Sequence, residues 1–466
     1  MHRLGWACVP LTLMASAGIV AQTSSPLTSA AREGTLVTTG VSIVDAVRGT
    51  TSAPQDVVVE GGRIAIAPTG SLPAPSGARR VDGTGRFAIP GLIDVHAHVG
   101  EGGIGPQDDT TRARALRQFL RYGVTTIFVP GATGAGDAAF PELRQRCRSR
   151  AIECPGLYGS GSMLTALGSH PVSTIFGMPG NVAPEVVEAR GVTMLQPGRD
   201  IDALIAAKAT AGVDAIKIVV EDGPPAWYPK PRLNDEQIAK VVAAAHARSL
   251  PVFAHVSTSR LTRVVVEAGV DGIIHGPVDD LPDDVIKRMA DRRTWYVPTF
   301  SLYDGILTWA RKQRESDPYA LAGVEPSAIE SLTAPPFLAS AAVDEAGALE
   351  YLRHASDNLR RAAAAGVPIA LGTDVNNPFV FPGYSAHEEL ALMVRAGLTP
   401  AQALRAGTAG GAAFLRASDR IGAIAQGFEA DLVLLSRNPL ERIENSRSVA
   451  AVIADGRVIA QVVTAR

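Results

Sequence analysis

Basic residues are not in excess in this sequence. Lysine and arginine together number 44, against 46 aspartates and glutamates, so no positively charged surface favours nucleic acid as a partner. Cysteine is scarce, and Cys147 and Cys154 have no further soft ligands nearby that would hold a metal with them. The glycine-rich stretch 131–136 lacks the Lys-Ser or Lys-Thr pair of a phosphate-binding loop. A small molecule other than a nucleotide is the expected partner.

The first 21 residues have the pattern of an export signal. Met1-His2-Arg3 precedes a mostly apolar run, from Leu4 to Val20, that has small residues near its end. Pro10 interrupts this run, which is also short for a membrane span. We therefore expect a signal peptide over residues 1–21, a secreted or periplasmic protein and no stable membrane association. An uncleaved N-terminal anchor is the alternative.

Export would place Cys147 and Cys154 in a compartment that permits disulfides. The two residues then form either a bridge or two free thiols, and the sequence leaves both possibilities open. Neither cysteine has the surroundings expected of a catalytic residue.

Two regions of short strands flank a long alternating region, after a Ser/Thr/Ala-rich stretch, 22–34, that predicts a disordered lead-in. Residues 35–89 and 421–466 contain β-branched segments parted by Gly, Pro, Asn-Pro and Asp-Gly turns, which predicts one β-sandwich built from both ends of the chain. Residues 90–420 alternate strands with amphipathic helices, so we predict an α/β fold, a (β/α)8 TIM barrel. The predicted barrel strands are 93–99, 125–130, 156–160, 215–220, 252–256, 272–275, 295–298 and 368–372.

Metal-binding residue types recur where these strands are predicted to end. In such a barrel the chemistry lies at the carboxyl ends of the strands. His96 and His98 are two residues apart on one strand, so both side chains leave on the same face and two imidazoles there can share a cation. The complete set of metal-compatible residues at strand ends is His96, His98, Lys217, His255, His275 and Asp374.

Lys217 lies in an otherwise apolar predicted strand. Burial of a bare ammonium is costly and lowers the pKa of a lysine. The neutral amine can add CO2 and become a carbamate, which is an anionic ligand able to bridge two metals. In the alternatives, the lysine reaches the strand end or pairs with Glu221. Glu221 has the same parity along the strand as Lys217, so it can also lie near the site.

Short motifs follow one another along nearly the whole chain in a specific order. They are Pro90-Gly91-Leu92-Ile93-Asp94-Val95-His96-Ala97-His98, Ala215-Ile216-Lys217-Ile218, Phe253-Ala254-His255, Ile274-His275-Gly276, Leu371-Gly372-Thr373-Asp374, His387-Glu388-Glu389-Leu390 and Gly427-Phe428-Glu429-Ala430-Asp431-Leu432. Each motif is weak alone, but their order and spacing are specific together. The chain resembles the amidohydrolase superfamily, in its prolidase-like and imidazolonepropionase-related branch.

The resemblance implies a site with two metals, and zinc, two ions per chain, is the expected cofactor. The implied ligands are His96, His98 and Asp374 for one ion, His255 and His275 for the other, and carboxylated Lys217 between them. Two such cations polarise a scissile carbonyl and lower the pKa of a bridging water. Asp374 is the expected catalytic residue, because a carboxylate there can take the proton of the hydroxide and pass it to the leaving amine.

Two further residues are candidate substrate contacts. His170 follows the third predicted strand, where this branch often has a histidine that contacts the substrate carbonyl, although its flanking residues differ from the usual Gly-Gly-His-Gly. A solvated loop histidine is the alternative. Tyr228, in the loop after Lys217, can orient the substrate, and packing beside Trp227 is its alternative. His387 opens a helix after the last strand and is expected to support the site rather than to bind metal.

The predicted activity is hydrolysis of an amide bond in a dipeptide, an Xaa-Pro-like substrate or an N-acyl amino acid. Residues 303–349 are expected to form a lid and to aid homo-oligomerisation. Two other hypotheses stay open. One is a mononuclear deaminase or imidazolone-type cyclic amide hydrolase, against which the apolar strand around Lys217 argues. The other is a catalytically silent ligand-binding relative, against which the presence of Asp374 argues.

Overall fold

The computed structural model describes residues 35–70, 78–99, 109–131, 139–173, 182–189, 191–222, 230–311, 318–321, 324, 345–375, 377 and 379–461. The predicted signal peptide and lead-in, Tyr228 and most of the predicted lid lie outside the described residues. Within the described part of the chain, no helix has both the length and the apolar character needed to cross a membrane.

Strands and helices alternate through the middle of the chain, between two regions of strands. The strands are β1 (Leu36–Asp45), β2 (Thr50–Glu60), β3 (Arg63–Pro68), β4 (Arg79–Asp82), β5 (Phe87–Pro90), β6 (Leu92–Asp94), β7 (Val124–Val129), β8 (Gly156–Gly159), β9 (Met163–Ala166), β10 (Val192–Leu195), β11 (Ile216–Val219), β12 (Val252–His255), β13 (Gly272–Ile274), β14 (Trp295–Val297), β15 (Leu432–Leu435), β16 (Val449–Ala454) and β17 (Arg457–Gln461). The helices are α1 (Asp109–Arg121), α2 (Ala139–Arg148), α3 (Pro184–Glu188), α4 (Ile201–Thr210), α5 (Asp235–His246), α6 (Ser259–Ala268), α7 (Asp283–Arg292), α8 (Phe300–Ala310), α9 (Pro318–Leu321), α10 (Glu345–Ala364), α11 (Tyr384–Arg395), α12 (Pro400–Arg405) and α13 (Gly411–Phe414).

Both ends of the chain contribute to one β unit, as predicted. β15, from the C-terminal part, pairs antiparallel with β5, from the N-terminal part. The buried side chains of this β unit, such as Val41, Ile64 and Leu434, form a small core of their own. Hydrogen bonding links all eight strands, β1 to β5 and β15 to β17, in one sheet. The predicted division into two sheets of a sandwich is therefore not confirmed, because β1 and β15 both pair with β5 and join the two halves edge to edge.

Parallel strands form the centre of the molecule. β6, β7 and β8 pair in that order, and β11, β12, β13 and β14 pair in a second parallel series. Backbone hydrogen bonds connect the two series at both sides. On one side, residues 368–371 lie between β14 and β6, because Tyr296 N donates to Pro368 O (2.9 Å) and Val95 N donates to Leu371 O (2.9 Å). On the other side, Asp214 N, shortly before β11, donates to Gly159 O of β8 (2.8 Å). The eight predicted barrel strands thus neighbour one another in sequence order.

The third predicted barrel strand continues beyond its expected end. The chain bends after β8 and continues as β9, which pairs with β11 on one side and with β10 on the other. β10 was not predicted from the sequence. This extension lies beside Ser169 and His170, which follow β9 after a short turn.

Local sequence signals determine where the helices around the strands begin and end. Asn234 and Gln237 form a capping box at the start of α5, and Thr258 accepts a hydrogen bond from Leu261 N at the start of α6. Gly269 ends α6 at φ +92°, a conformation that glycine adopts without a steric penalty. Because β12 and β13 are parallel, their carboxyl termini lie on the same side of the sheet.

The interior between the strands is packed below the predicted site. Phe253 lies on β12, two residues before His255, and its ring stacks on Phe414 with a centroid distance of 4.0 Å. Phe128 contacts both rings edge-on. Side chains that converge above this aromatic layer therefore have a rigid apolar floor.

Cys147, in the last turn of α2, and Cys154, shortly before β8, form a disulfide. Of the two possibilities that the sequence leaves open, the structure has the bridge.

Candidate active site

Three predicted ligands converge on one point. His96 Nε2 lies 3.1 Å and His98 Nε2 lies 3.2 Å from Oδ1 of Asp374. One ligand atom from each of the three residues lies within 4.8 Å of the other two. His96 and Asp374 are buried, and His98 is partly exposed. This group is the most compact set of metal-compatible side chains in the described part of the chain.

The backbone of two adjacent segments holds this group together. Asp374 N donates to His96 O (2.8 Å), and His98 N donates to Val375 O (3.1 Å). Beneath them, the buried carboxylate of Asp94 accepts hydrogen bonds from His96 N (3.1 Å), Thr373 N (3.1 Å) and Thr373 Oγ1 (2.6 Å). Burial raises the pKa of Asp94 to about 7. Asp94 therefore locks the segment that carries the two histidines to the segment that carries Asp374.

A second group of imidazoles lies beside the first. The ring centroids of His255 and His275 are 4.5 Å apart, and His275 is 5.0 Å from His96. His170 stacks on His255 at a centroid distance of 4.8 Å. The structure thus brings five of the predicted histidines to one place, although their roles as ligands or substrate contacts stay predictions.

Lys217 is buried in the same place and makes no ion pair within the described residues. Its side chain is 2% exposed, and its Nζ has no hydrogen-bond partner in the described part of the chain. Burial lowers the pKa of Lys217 to about 7, although the charge of Asp374 acts in the opposite direction. Pairing with Glu221, one of the alternatives, is not observed. A buried amine with this pKa is largely neutral at slightly alkaline pH and is chemically able to add CO2.

Burial also keeps three of the imidazoles neutral. It lowers the pKa of His96 and of His170 to about 3 and that of His275 well below the ordinary value. Burial works against the charge of Asp374, but the nearby ring nitrogens of His96 and His98 outweigh it and hold the pKa of Asp374 well below its usual range. Neutral imidazoles and an ionised carboxylate are the forms that bind metals.

These residues fit a divalent cation. Nitrogen and carboxylate donors at one point are the ligand types that zinc takes in proteins. The buried Nζ of Lys217 without a partner is the kind of polar atom that a native fold rarely leaves unsatisfied unless the site binds something.

Three residues of the site adopt left-handed backbone conformations. The φ angles are +75° at His275, +60° at Asp374 and +52° at Thr299. The last is unfavourable for a β-branched residue, so the surroundings must enforce it. Thr299 Oγ1 lies 2.8 Å from His275 Nδ1. The next two residues, Phe300 and Ser301, donate their backbone N–H groups to the buried carboxylate of Glu389 (3.0 and 2.8 Å).

Of the remaining predicted residues, His387 is buried away from the cluster. Its Nδ1 lies 3.0 Å from Ser446 Oγ, and its Nε2 lies 2.9 Å from the carbonyl oxygen of Tyr122. Its predicted support of the site stays a prediction. Tyr228 lies outside the described residues, so its contacts stay a prediction.

Sequence reasoning assigned no role to three polar residues around the site. Thr299 Oγ1 lies 2.8 Å from His275 Nδ1, and Ser257 donates to Glu221, which itself lies against His255. Glu221 was expected only near the site. The strand parity that it shares with Lys217 was a usable signal, but no pattern in the sequence points to Ser257 or Thr299.

The pKa of Lys217 gives a testable pH dependence of stability. In the metal-free protein the folded state binds the lysine proton with a pKa of about 7, against an ordinary value of 10.5. Between these two values the unfolded chain holds more protons, so stability rises with pH in this window. Relative to Lys217→Met, the wild-type unfolding free energy should rise by up to about 1.4 kcal/mol per pH unit above pH 7. Denaturant unfolding in CO2-free buffer measures this difference, and parallel curves for the two proteins would contradict it.

Comparison with known proteins identifies the family. A model of the amidohydrolase family matches residues 87–459. The chain therefore belongs to the amidohydrolase family. It is 25% identical to an ochratoxinase of Aspergillus niger over 396 residues, which span 76% of this chain and 71% of that protein. It is also 28% identical to an imidazolonepropionase of Anaeromyxobacter sp. (strain K) over 456 residues, which span 87% of this chain and 90% of that protein.

Solved structures support the fold. A Xaa-Pro dipeptidase with methionine bound in its active site superposes with a TM-score of 0.71 at 23% identity, over 91% of this chain and 99% of that one. The family and this neighbour imply a TIM-barrel fold of the α/β class. The site residues described above lie at the carboxyl ends of its parallel strands, which is where enzymes of this fold carry their chemistry.

Proposed function

We propose that this protein is a metal-dependent hydrolase of amide bonds that acts on dipeptides, Xaa-Pro-like substrates or N-acyl amino acids. One observation carries the proposal: His96 Nε2 and His98 Nε2 converge on Asp374 Oδ1 at 3.1 and 3.2 Å. Membership of the amidohydrolase family supports the hydrolysis of an amide bond, and the ligand chemistry of the three residues supports a divalent metal.

The proposed metal ligands are His96, His98 and Asp374 at one position, His255 and His275 at the other, and Lys217 between them. A bound divalent cation, proposed to be zinc, polarises a carbonyl group and lowers the pKa of water. Asp374 accepts the proton from the attacking water and returns it to the leaving nitrogen as the C–N bond breaks. Its ionised state at neutral pH suits the first of these steps.

Lys217 is proposed to act as a carbamate. The unpartnered, buried Nζ supports this assignment, since a neutral amine is the species that adds CO2. A carbamate would carry a negative charge near His96 and His275, whose pKa values both respond to the charge of Lys217. An anion at that point balances the charge of two cations, which an ammonium would repel.

His170 is proposed to contact the substrate. Its ring stacks on His255 and is neutral, so one ring nitrogen can donate a hydrogen bond to the carbonyl oxygen of the scissile amide. A donor aimed at that oxygen stabilises the negative charge that develops on it as the bond breaks. Tyr228 remains a second proposed contact.

A second candidate function is hydrolysis of a cyclic, imidazolone-type substrate at a single metal. The similarity to imidazolonepropionases and the presence of only one three-donor group within 4.8 Å in the described residues favour it. In that case Lys217 is an ordinary buried lysine and the second imidazole pair contacts the substrate.

Turnover of a substrate panel tests the proposed function and separates the two candidates. The purified protein, loaded with zinc, is assayed against Xaa-Pro dipeptides, N-acyl amino acids and a cyclic imidazolone. We expect cleavage of at least one linear amide and its loss after chelation. Turnover of the cyclic substrate alone would favour the second candidate, and turnover of no substrate by the zinc-loaded protein would contradict both.

Export and self-association extend the proposal. We propose that residues 1–21 are removed on export and that the mature protein acts outside the cytoplasm as a homo-oligomer. N-terminal sequencing of the mature protein and light scattering of the purified protein measure the two features separately.

A further inference from the structure

Glu221 is a buried carboxylate that the proposed mechanism does not use. It lies two residues beyond the end of β11, so its side chain leaves on the same face as Lys217. The side chain is 2% exposed. It does not belong to the compact group formed by His96, His98 and Asp374.

Both oxygens of Glu221 are engaged by residues at the end of the neighbouring strand. Oε1 accepts a hydrogen bond from Ser257 Oγ at 2.8 Å, and Oε2 lies 3.3 Å from Nε2 of His255. Ser257 thus holds the carboxylate of Glu221 in place as a hydrogen-bond acceptor.

A carboxylate at Nε2 determines which nitrogen of His255 carries the proton. An imidazole that binds a metal is in its neutral form, with one N–H and one lone pair, and a carboxylate can only accept. In that form the proton of His255 lies on Nε2, beside Glu221, which leaves the lone pair on Nδ1. At His275 the contact is with a hydroxyl instead, because Nδ1 lies 2.8 Å from Thr299 Oγ1, which can donate or accept.

We propose that Glu221 is a positioning residue that fixes the tautomer and the ring orientation of His255, so that Nδ1 faces the second metal position. The inference rests on the proposed function in assigning His255 as a ligand of that metal. Carboxylates that hold the outer nitrogen of a ligating histidine commonly contribute 10-fold to 100-fold in metal affinity. The negative charge of Glu221 also strengthens the attraction between this side of the site and a cation.

A role as a direct ligand is not what the contacts favour. Both oxygens of Glu221 already have partners on the chain, at distances of 2.8 and 3.3 Å. A role as the counter-ion of Lys217 is not observed either, because Lys217 Nζ has no hydrogen-bond partner in the described part of the chain. Glu221 Oε2 reaches the proposed metal ligands through its contact with His255.

The test combines metal affinity with the tautomer of His255. Zinc affinity is measured in metal-buffered titrations of the full mature protein, and the visible spectrum of the cobalt-substituted protein reports the coordination. We expect Glu221→Ala to bind its second metal about 10-fold to 100-fold more weakly and to change the cobalt spectrum, with the first metal unaffected. Glu221→Gln keeps an acceptor oxygen and should lose less. Ser257→Ala should shift the affinity in the same direction by a smaller factor.

A matched control comes from another histidine–carboxylate pair. Asp280 holds Nδ1 of His354 on the surface, so Asp280→Asn removes a carboxylate from a histidine without touching the site. This variant should keep the wild-type metal affinity and cobalt spectrum. Since Glu221→Gln and Ser257→Ala preserve side-chain size or polarity, they also carry the test if Glu221→Ala does not fold.

The tautomer is measured without metal or substrate. In ¹⁵N-histidine spectra of the metal-free protein, with His255 assigned from a His255→Asn variant, the wild type should show the Nε2–H form and Glu221→Ala a mixture of both forms. An unchanged tautomer, or unchanged affinity for both metals, would overturn the inference. So would complete loss of the second metal in Glu221→Gln as well as Glu221→Ala, which would indicate a direct ligand. Failure of the proposed function would appear instead as a wild-type protein that cleaves no amide.

Discussion

The Asp374→Asn variant should hydrolyse amides about 10³-fold more slowly than the wild-type protein, because it loses the group that moves the proton from water to the leaving nitrogen. The asparagine amide cannot accept that proton, and it is a weaker partner for His96 and His98, which lie 3.1 and 3.2 Å from the carboxylate oxygen. The change preserves side-chain shape, so the fold should survive. Steady-state rates on the best linear amide measure the effect.

The control for Asp374→Asn is an aspartate outside the site. Asp431 accepts a hydrogen bond from Asp455 N (2.8 Å) in the β unit, and Asp431→Asn should leave the rate within a factor of a few. If Asp374→Asn, with its metal content verified, kept more than a tenth of the wild-type rate, the proposed role of Asp374 as proton carrier would be wrong.

The Lys217→Met variant should lose one of the two metals and all but about a hundredth to a thousandth of the activity. Methionine matches the volume and suits the apolar strand, but it cannot become a carbamate, so the anion between the two metal positions is lost. A loss of several kcal/mol of transition-state stabilisation corresponds to about 10²-fold to 10³-fold in rate. Elemental analysis of the variant, together with its rate, measures both consequences.

A second buried lysine provides the control for Lys217→Met. Lys208 on α4 is 0% exposed, and its Nζ donates to Ser162 O at 2.7 Å, away from the histidine cluster. Lys208→Met should lower stability, since it removes that hydrogen bond, but it should keep two metals. Lys217→Glu, which supplies a shorter carboxylate, should recover part of the metal content. Two metals bound in Lys217→Met would contradict the bridging role.

Periodicity and residue type predicted the central fold well. The apolar runs around Lys217, His255 and His275 are strands in the predicted order, because buried parallel strands show as short β-branched segments between helices. Helix α5 begins at Asp235, where Asn234 and Gln237 form its capping box, and it ends at His246. Helix ends are weakly encoded where no glycine follows in the last turn.

The parts that the sequence did not predict depend on contacts between distant segments. β10 forms because the bent third strand offers an open edge at Met163 to Ala166, which no local pattern announces. The two-sheet division of the sandwich is not confirmed, because alternating short strands indicate an antiparallel β unit but not how its edges join. The final barrel segment, residues 368–371, has only isolated backbone contacts with its neighbours, so the regular strand expected there is absent.

The site, like the fold, was predicted only in part from the sequence. Histidine spacing on one strand and strand-end position were enough to select His96, His98, His255, His275 and Asp374, which the structure brings together. The hydrogen bonds that orient these rings come from side chains such as Ser257 and Thr299, whose types are common in loops. Their roles follow only from distances, which sequence spacing does not encode.

Titration of the metal-free protein with zinc, followed by the rate of hydrolysis of its best linear amide substrate, shows whether the protein is a two-metal hydrolase. We expect no measurable rate without metal and a rate that rises to a plateau near two equivalents of zinc. Full activity in the metal-free protein would contradict it, and a plateau at one equivalent would contradict the two-metal site and favour the mononuclear alternative.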